Sequence, residues 1–158
     1  MENGARLDRV TIFNNKLSFL IPHEWAERTE DETEYMYSFP GAESGWLRVS
    51  LITGKATSEA PSQRLNKLFQ GEQTRFVEPE TGNLVCAYEK DSVEAGVPIH
   101  LYCWKVANIV QPNLVREAVF SYTVLSERDS DEETKKVVGL LAELVSRVVF
   151  LQPIESNS

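Results

Sequence analysis

The chain has 158 residues, 42% of them hydrophobic and 25% charged, which suits one globular domain with a real core. Asp and Glu (24) outnumber Lys and Arg (16), for a net charge of -8, and no cluster of basic residues is visible, which argues against nucleic acid and anionic membrane as partners. No run approaches the roughly 18 apolar residues of a membrane span, and the first six residues lack an apolar signal core. The expectation is therefore a cytoplasmic protein without membrane insertion.

Residues 10–13 and 17–21 are short apolar runs separated by the turn dipeptide Asn14-Asn15, which predicts an opening hairpin. Pro22 stops the second strand, and Trp25 follows three residues later. The stretch from Glu27 to Glu34 is acidic, with Glu27, Glu30, Asp31, Glu32 and Glu34 against one base, Arg28. It reads as a solvated turn at a sheet edge, with an acidic docking turn as the sharper alternative. Residues 35–39 and 46–53 are the next predicted strands. A first helix is predicted over 58–70, with Thr57 or Ser58 as its cap, Pro61 in its first turn, Leu65, Leu68 and Phe69 as its stripe, and Gly71 as its stop.

Strands follow at 74–78, 84–90 and 99–108, the last two joined by a turn containing Gly96 and Pro98. The strand around Cys103 is apolar on both faces: Ile99, Leu101 and Cys103 on one, Tyr102, Trp104 and Val106 on the other. That predicts a central strand covered on both sides. Cys86 and Cys103 read as reduced core thiols rather than as a disulfide, and neither belongs to a CxxC or metal-ligand spacing.

Over 116–125 the period is two, with Ala118, Phe120, Tyr122 and Val124 on one side. The period then changes. Val137, Val138, Leu141, Leu144, Val145 and Val148 recur at helical spacing, which predicts a helix from Glu132 to about Val145. Ser130 and Glu133 have capping-box spacing, and Glu132–Lys136 and Glu143–Arg147 are acid-first i,i+4 pairs. A last apolar segment covers 148–150. These elements make a single α+β domain over 1–158, a mainly antiparallel sheet of about six to seven strands flanked by two helices. The ordered core spans about 9–151, and 1–8 and 152–158 read as loose tails.

This pattern resembles the PsbP/Mog-like family, and in particular its bacterial members of the DcrB and Eag type. The likeness is carried by Leu17-Ser18-Phe19-Leu20-Ile21-Pro22 with Trp25, by Arg48-Val49-Ser50-Leu51, by residues 117–123 and by the closing helix, and spans roughly residues 10–150. The resemblance implies an α/β/α sandwich and a binding role rather than catalysis. Members include photosystem-associated proteins, a Ran-GTPase-binding nucleotide-release factor, and chaperones that hold apolar transmembrane segments of type VI secretion effectors. The first residues do not read as the transit peptide or lipoprotein leader of some members, so the expectation is against a PsbP- or DcrB-like placement. No family site is matched residue by residue.

Chemistry is sparse. Gly54-Lys55-Ala56-Thr57 sits in the right context for a phosphate loop but lacks the upstream glycine and the Ser/Thr after Lys, so it reads as a plain turn. In Gly41-Ala42-Glu43-Ser44-Gly45 the serine is one residue late for a nucleophile elbow. His100 and Cys103 fall on opposite faces of one strand. Glu89 and Glu117 read as solvated strand carboxylates. No metal or other cofactor is expected. Trp46, Tyr102 and Trp104 are the binding candidates: they read as core, or as a partly exposed apolar groove that grips a peptide or helix. The expectation is a non-catalytic module binding another protein or peptide in the manner of an adaptor or chaperone, with a homodimer as one form it can take. The alternatives are a small enzyme using His100, Glu89 and Cys103, and a structural subunit of a larger assembly.

Overall fold

The computed structural model describes residues 6–29, 33–39, 45–52, 74–110 and 114–151. The expected helix over 58–70, the loop containing Gly54-Lys55, the stretch from Gly41 to Ser44, and Glu30, Asp31 and Glu32 lie outside the described residues.

The described elements are β1 (Leu7–Ile12), β2 (Leu17–Pro22), β3 (Ala26–Glu27), β4 (Tyr35–Ser38), β5 (Trp46–Ile52), β6 (Thr74–Val77), β7 (Leu84–Glu94), β8 (Val97–Val110), β9 (Leu114–Leu125), a 3-10 turn (Ser126–Arg128), α1 (Glu132–Ser146) and β10 (Val149–Phe150). The fold is α+β and its sheet pairings are antiparallel. Its strands divide between two sheets, whereas the sequence suggests one sheet of six or seven. Seven form a sheet in the order β3-β4-β5-β9-β8-β7-β6, and β1-β2-β10 form a second, smaller one. β10 joins the opening hairpin as its third strand: Phe150 lies opposite Leu17 and Val149 opposite Ser18.

Turn chemistry sets the hairpins. Asn14 and Asn15 take positive φ (54° and 64°) between β1 and β2, a conformation Asn tolerates well. Ala95 and Gly96 do the same (53° and 81°) in the two-residue turn between β7 and β8, the pattern of a type I′ hairpin. β1 begins at Leu7, earlier than the expected start of the ordered core at residue 9.

One face of the large sheet carries the core. Leu47, Val49, Val85, Trp104, Val106, Ala118, Phe120, Tyr122 and Val124 lie there in register and are buried. The small sheet covers part of this face, with Phe19 edge-on to Phe120 at 5.4 Å and to Tyr37 at 6.0 Å between ring centroids. Helix α1 covers the rest with Leu141 and Val145. The opposite face buries Cys86, Cys103, Ala107, Glu117 and Thr123. The strand around Cys103 is thus covered on both sides, as its composition predicts. Both cysteines are buried and neither is in a disulfide. Glu117 departs from expectation: it is buried, not solvated.

The capping box is not formed. Asp131 is the N-cap and makes no side-chain capping bond, so Ser130 stands one position too early. Thr134 instead donates its hydroxyl to the Arg128 carbonyl at 2.8 Å, tying the first turn of α1 to the preceding 3-10 turn. The end of α1 is held by a buried polar network. Asn83 donates from Nδ2 to the carbonyls of Ser146 (3.2 Å) and Val148 (2.7 Å), and its Oδ1 accepts from Asn108 at 3.2 Å. Arg116 donates to the carbonyls of Leu151 (2.8 Å) and Phe150 (3.2 Å), with its guanidinium 5.4 Å from the centre of the Phe150 ring. Long-range side chains thus satisfy the Ser146 carbonyl, which helix geometry leaves without a partner, and the carbonyls of Val148, Phe150 and Leu151 that follow it.

Candidate functional site

The corner after β2 builds an accessible apolar concavity. Pro22 fixes its own φ and removes a donor, which favours a break in the strand. The chain turns at once, with Trp25 N–H donating to the Pro22 carbonyl at 3.0 Å. This swings the Trp25 indole onto Tyr122 of β9, stacked at 6.0 Å and 25°. Such a pair contributes about 0.5–1.5 kcal/mol beyond the area it buries. Gly45, at φ 102°, admits the Tyr122 ring: a Cβ there would collide with the phenol.

Pro22, Trp25, Phe39, Tyr122, Val137 and Leu140 line the resulting groove of about 290 Å³. Phe39 is 46% exposed, and Trp25, Val137 and Leu140 are half-buried, so the groove leaves large apolar surface within reach of solvent. Its polar liners are two exposed carboxylates, Glu24 and Glu133. Burial, then the charge of Glu133, pushes the Tyr122 hydroxyl up to about 12, so it stays a neutral hydrogen-bonding group across the physiological range.

A second cluster lies further along the same sheet face. His100 Nδ1 meets Asp91 at 2.7 Å and Nε2 meets Glu89 at 2.8 Å, with Asp129 at 3.9 Å. The Tyr102 hydroxyl donates to Asp129. Burial pulls the His100 pKa down, but hydrogen bonds to Asp91 and Glu89 and the charges of Asp129 and Asp91 outweigh it, and the net shift is upward. Each ring nitrogen faces a carboxylate, so both donate, and the imidazolium is the form the site favours. Beside it is a cavity of about 170 Å³ whose lining includes Ala87, Glu89, Tyr102, Trp104, Val138 and Ala142. Among the described residues no group of three or more His, Cys, Asp or Glu side chains is placed to hold a metal ion.

The three aromatic candidates from the sequence do not share a surface. Trp104 is buried at 4% exposure in the core, and Tyr102 is half-buried at the wall of the smaller cavity. Trp46, half-buried, pairs with Thr123 and so faces the other side of the sheet. Of the acidic turn, Glu27 and Glu34 are exposed, and Glu34 lies 3.8 Å from Arg48. The structure brings Glu89 to His100 and leaves Cys103 on the opposite face, where burial raises its thiol pKa. The groove residues Trp25, Phe39, Tyr122, Val137 and Leu140 are not in the sequence-level candidate set. One signal for them is present: Leu140 widens the helix stripe beyond what a single buried seam needs.

No family model matches the chain, and no curated protein matches it by sequence. Solved structures do. A crystal structure from Bacteroides thetaiotaomicron VPI-5482 is 15% identical with a TM-score of 0.62 over 93% of this chain. This chain spans about half of that one, 49% of its length. The Saccharomyces cerevisiae Ran-binding protein Mog1p is 10% identical with a TM-score of 0.54, covering 93% of this chain and 96% of that one. LpqN of Mycobacterium tuberculosis, involved in cell envelope biogenesis, is 11% identical with a TM-score of 0.56, covering 93% and 91%. The fold is thus the Mog1/PsbP-like one. Among the described residues no helix is long and apolar enough to cross a membrane.

Proposed function

We propose that the chain is a non-catalytic protein-binding module whose working surface is the groove between Trp25, Tyr122 and α1. The observation that carries this reading is the set of large apolar side chains left open there, beside core residues such as Leu47, Val49 and Phe120 that are fully buried. Half-exposed aromatic and aliphatic groups around a concavity are the ordinary chemistry of a peptide or helix anchor. The likeness to Mog1p, named for binding the protein Ran, supports a role in protein binding. An adaptor or chaperone holding an apolar client segment, such as one from a type VI secretion effector, is the specific form of this reading.

The chemistry at His100 supports a structural role for that residue. An imidazolium clasped by Glu89 and Asp91 has no lone pair to serve as a base, and the Cys103 thiol faces away from it. The test is affinity capture from native lysate with the full chain, wild type against Leu140→Asp. The expected result is a discrete protein retained by the wild type and lost with the variant. Retention of nothing by the wild type, or equal retention by both, contradicts the proposal.

A further inference from the structure

We propose, building on the protein-binding reading, that the groove selects a segment presenting a bulky apolar side chain next to a lysine or arginine. Three observations combine. The floor and walls are apolar: Pro22, Trp25, Phe39, Tyr122, Val137 and Leu140. At about 290 Å³ the volume suits one or two large side chains and is at the low end for a compact ligand. The charged liners are Glu24 and Glu133, both acidic and both exposed, one from the Pro22–Trp25 corner and one from the first turn of α1.

Among the described liners the charge is therefore of one sign. Lys135 and Lys136 follow Glu133 on the same helix, yet neither lines the groove. Val137 and Leu140 lie four and seven residues after Glu133, so the carboxylate and the apolar anchors share one helix face. A cation beside the anchored side chain meets that carboxylate, with Glu24 as the second carboxylate lining the same groove. A segment with an acidic neighbour meets like charge twice. Electrostatic complementarity of this kind acts chiefly on selectivity and encounter, with the apolar contact supplying the anchor. The chain's net charge of -8 adds a long-range bias in the same direction.

The probes are two blocked dipeptides, acetyl-phenylalanyl-lysine amide and acetyl-phenylalanyl-glutamate amide, titrated into the labelled full chain and followed by NMR. Ligands this small bind at roughly millimolar strength, which chemical shifts resolve. The expected result is movement of the Trp25 indole and Leu140 methyl signals, with the lysine probe roughly fivefold tighter at low salt. In the double variant E24K/E133K the preference reverses. Both sites are exposed, and reversing Glu133 in the first turn of α1 costs about 1 kcal/mol, which leaves the chain folded. Equal affinity for both probes, or no reversal in the variant, overturns the charge selection. Shifts confined to other parts of the sheet overturn the groove itself. Either failure is distinct from failure of the protein-binding reading, which is decided by whether wild type retains a partner that Leu140→Asp loses.

Discussion

Asn83→Ala removes the side chain that pins the end of α1 to the sheet. Asn83 is 1% exposed, and its amide donates to the carbonyls of Ser146 and Val148 while accepting from Asn108. Each net hydrogen bond is worth roughly 1 kcal/mol, and a buried carbonyl stripped of its donor adds a desolvation cost of similar size. With three bonds lost and partial rescue by water, the expected loss is about 3 kcal/mol. For a chain of this size that lowers Tm by about 6–12 °C. Asn83→Asp is more damaging at neutral pH, since a carboxylate then faces two carbonyl oxygens. Urea unfolding followed by far-UV circular dichroism measures both. A loss under about 1 kcal/mol for Asn83→Ala would refute the claim that this residue holds the helix end.

His100→Gln removes the clasp between β7 and β8. Because the folded pKa of His100 lies above its unfolded value, the stabilisation is fully present below about pH 6.5 and is lost as pH rises through the raised pKa. Glu89 and Asp91 are mostly exposed, so the wild-type advantage at pH 5.5 is about 1 kcal/mol, and urea titrations there and at pH 9 should show it shrinking. Gly45→Ala forces a side chain into a left-handed backbone conformation and against Tyr122, and should cost more than about 1 kcal/mol and alter the near-UV signal of the Trp25–Tyr122 stack. Phe120→Ala empties the contact between the two sheets, where the side chain is 0% exposed, and should cost about 3–5 kcal/mol by chemical denaturation.

Much of the scaffold is legible in the sequence because its signals are local. The alternation through Phe120 and Tyr122 reports one buried face, and the structure buries that set. The turn residues Asn14, Asn15 and Gly96 announce their hairpins because positive φ is a property of single residues. What fails is what depends on distant partners. The capping box of Ser130 and Glu133 has the right spacing, but the helix starts after Asp131, and Thr134 bonds backward to Arg128 instead. Nothing local marks Asn83 or Arg116 as the residues that receive the end of α1, 63 residues away in the case of Asn83 and Ser146. Burial of Glu117 is invisible for the same reason. Tyr122 and Val137 are readable as apolar positions, yet their opening into a groove depends on where the Pro22–Trp25 corner lands.

The claim that the Trp25–Tyr122 groove is the binding surface is tested most directly by site-specific photocrosslinking in native lysate. A benzophenone amino acid replaces Leu140 in one preparation and exposed Glu80, at the turn after β6, in another. The account predicts a discrete crosslinked protein from position 140 that is absent from position 80 and weakened by E24K/E133K. Crosslinking that is equal at the two positions, or absent from position 140, would contradict it.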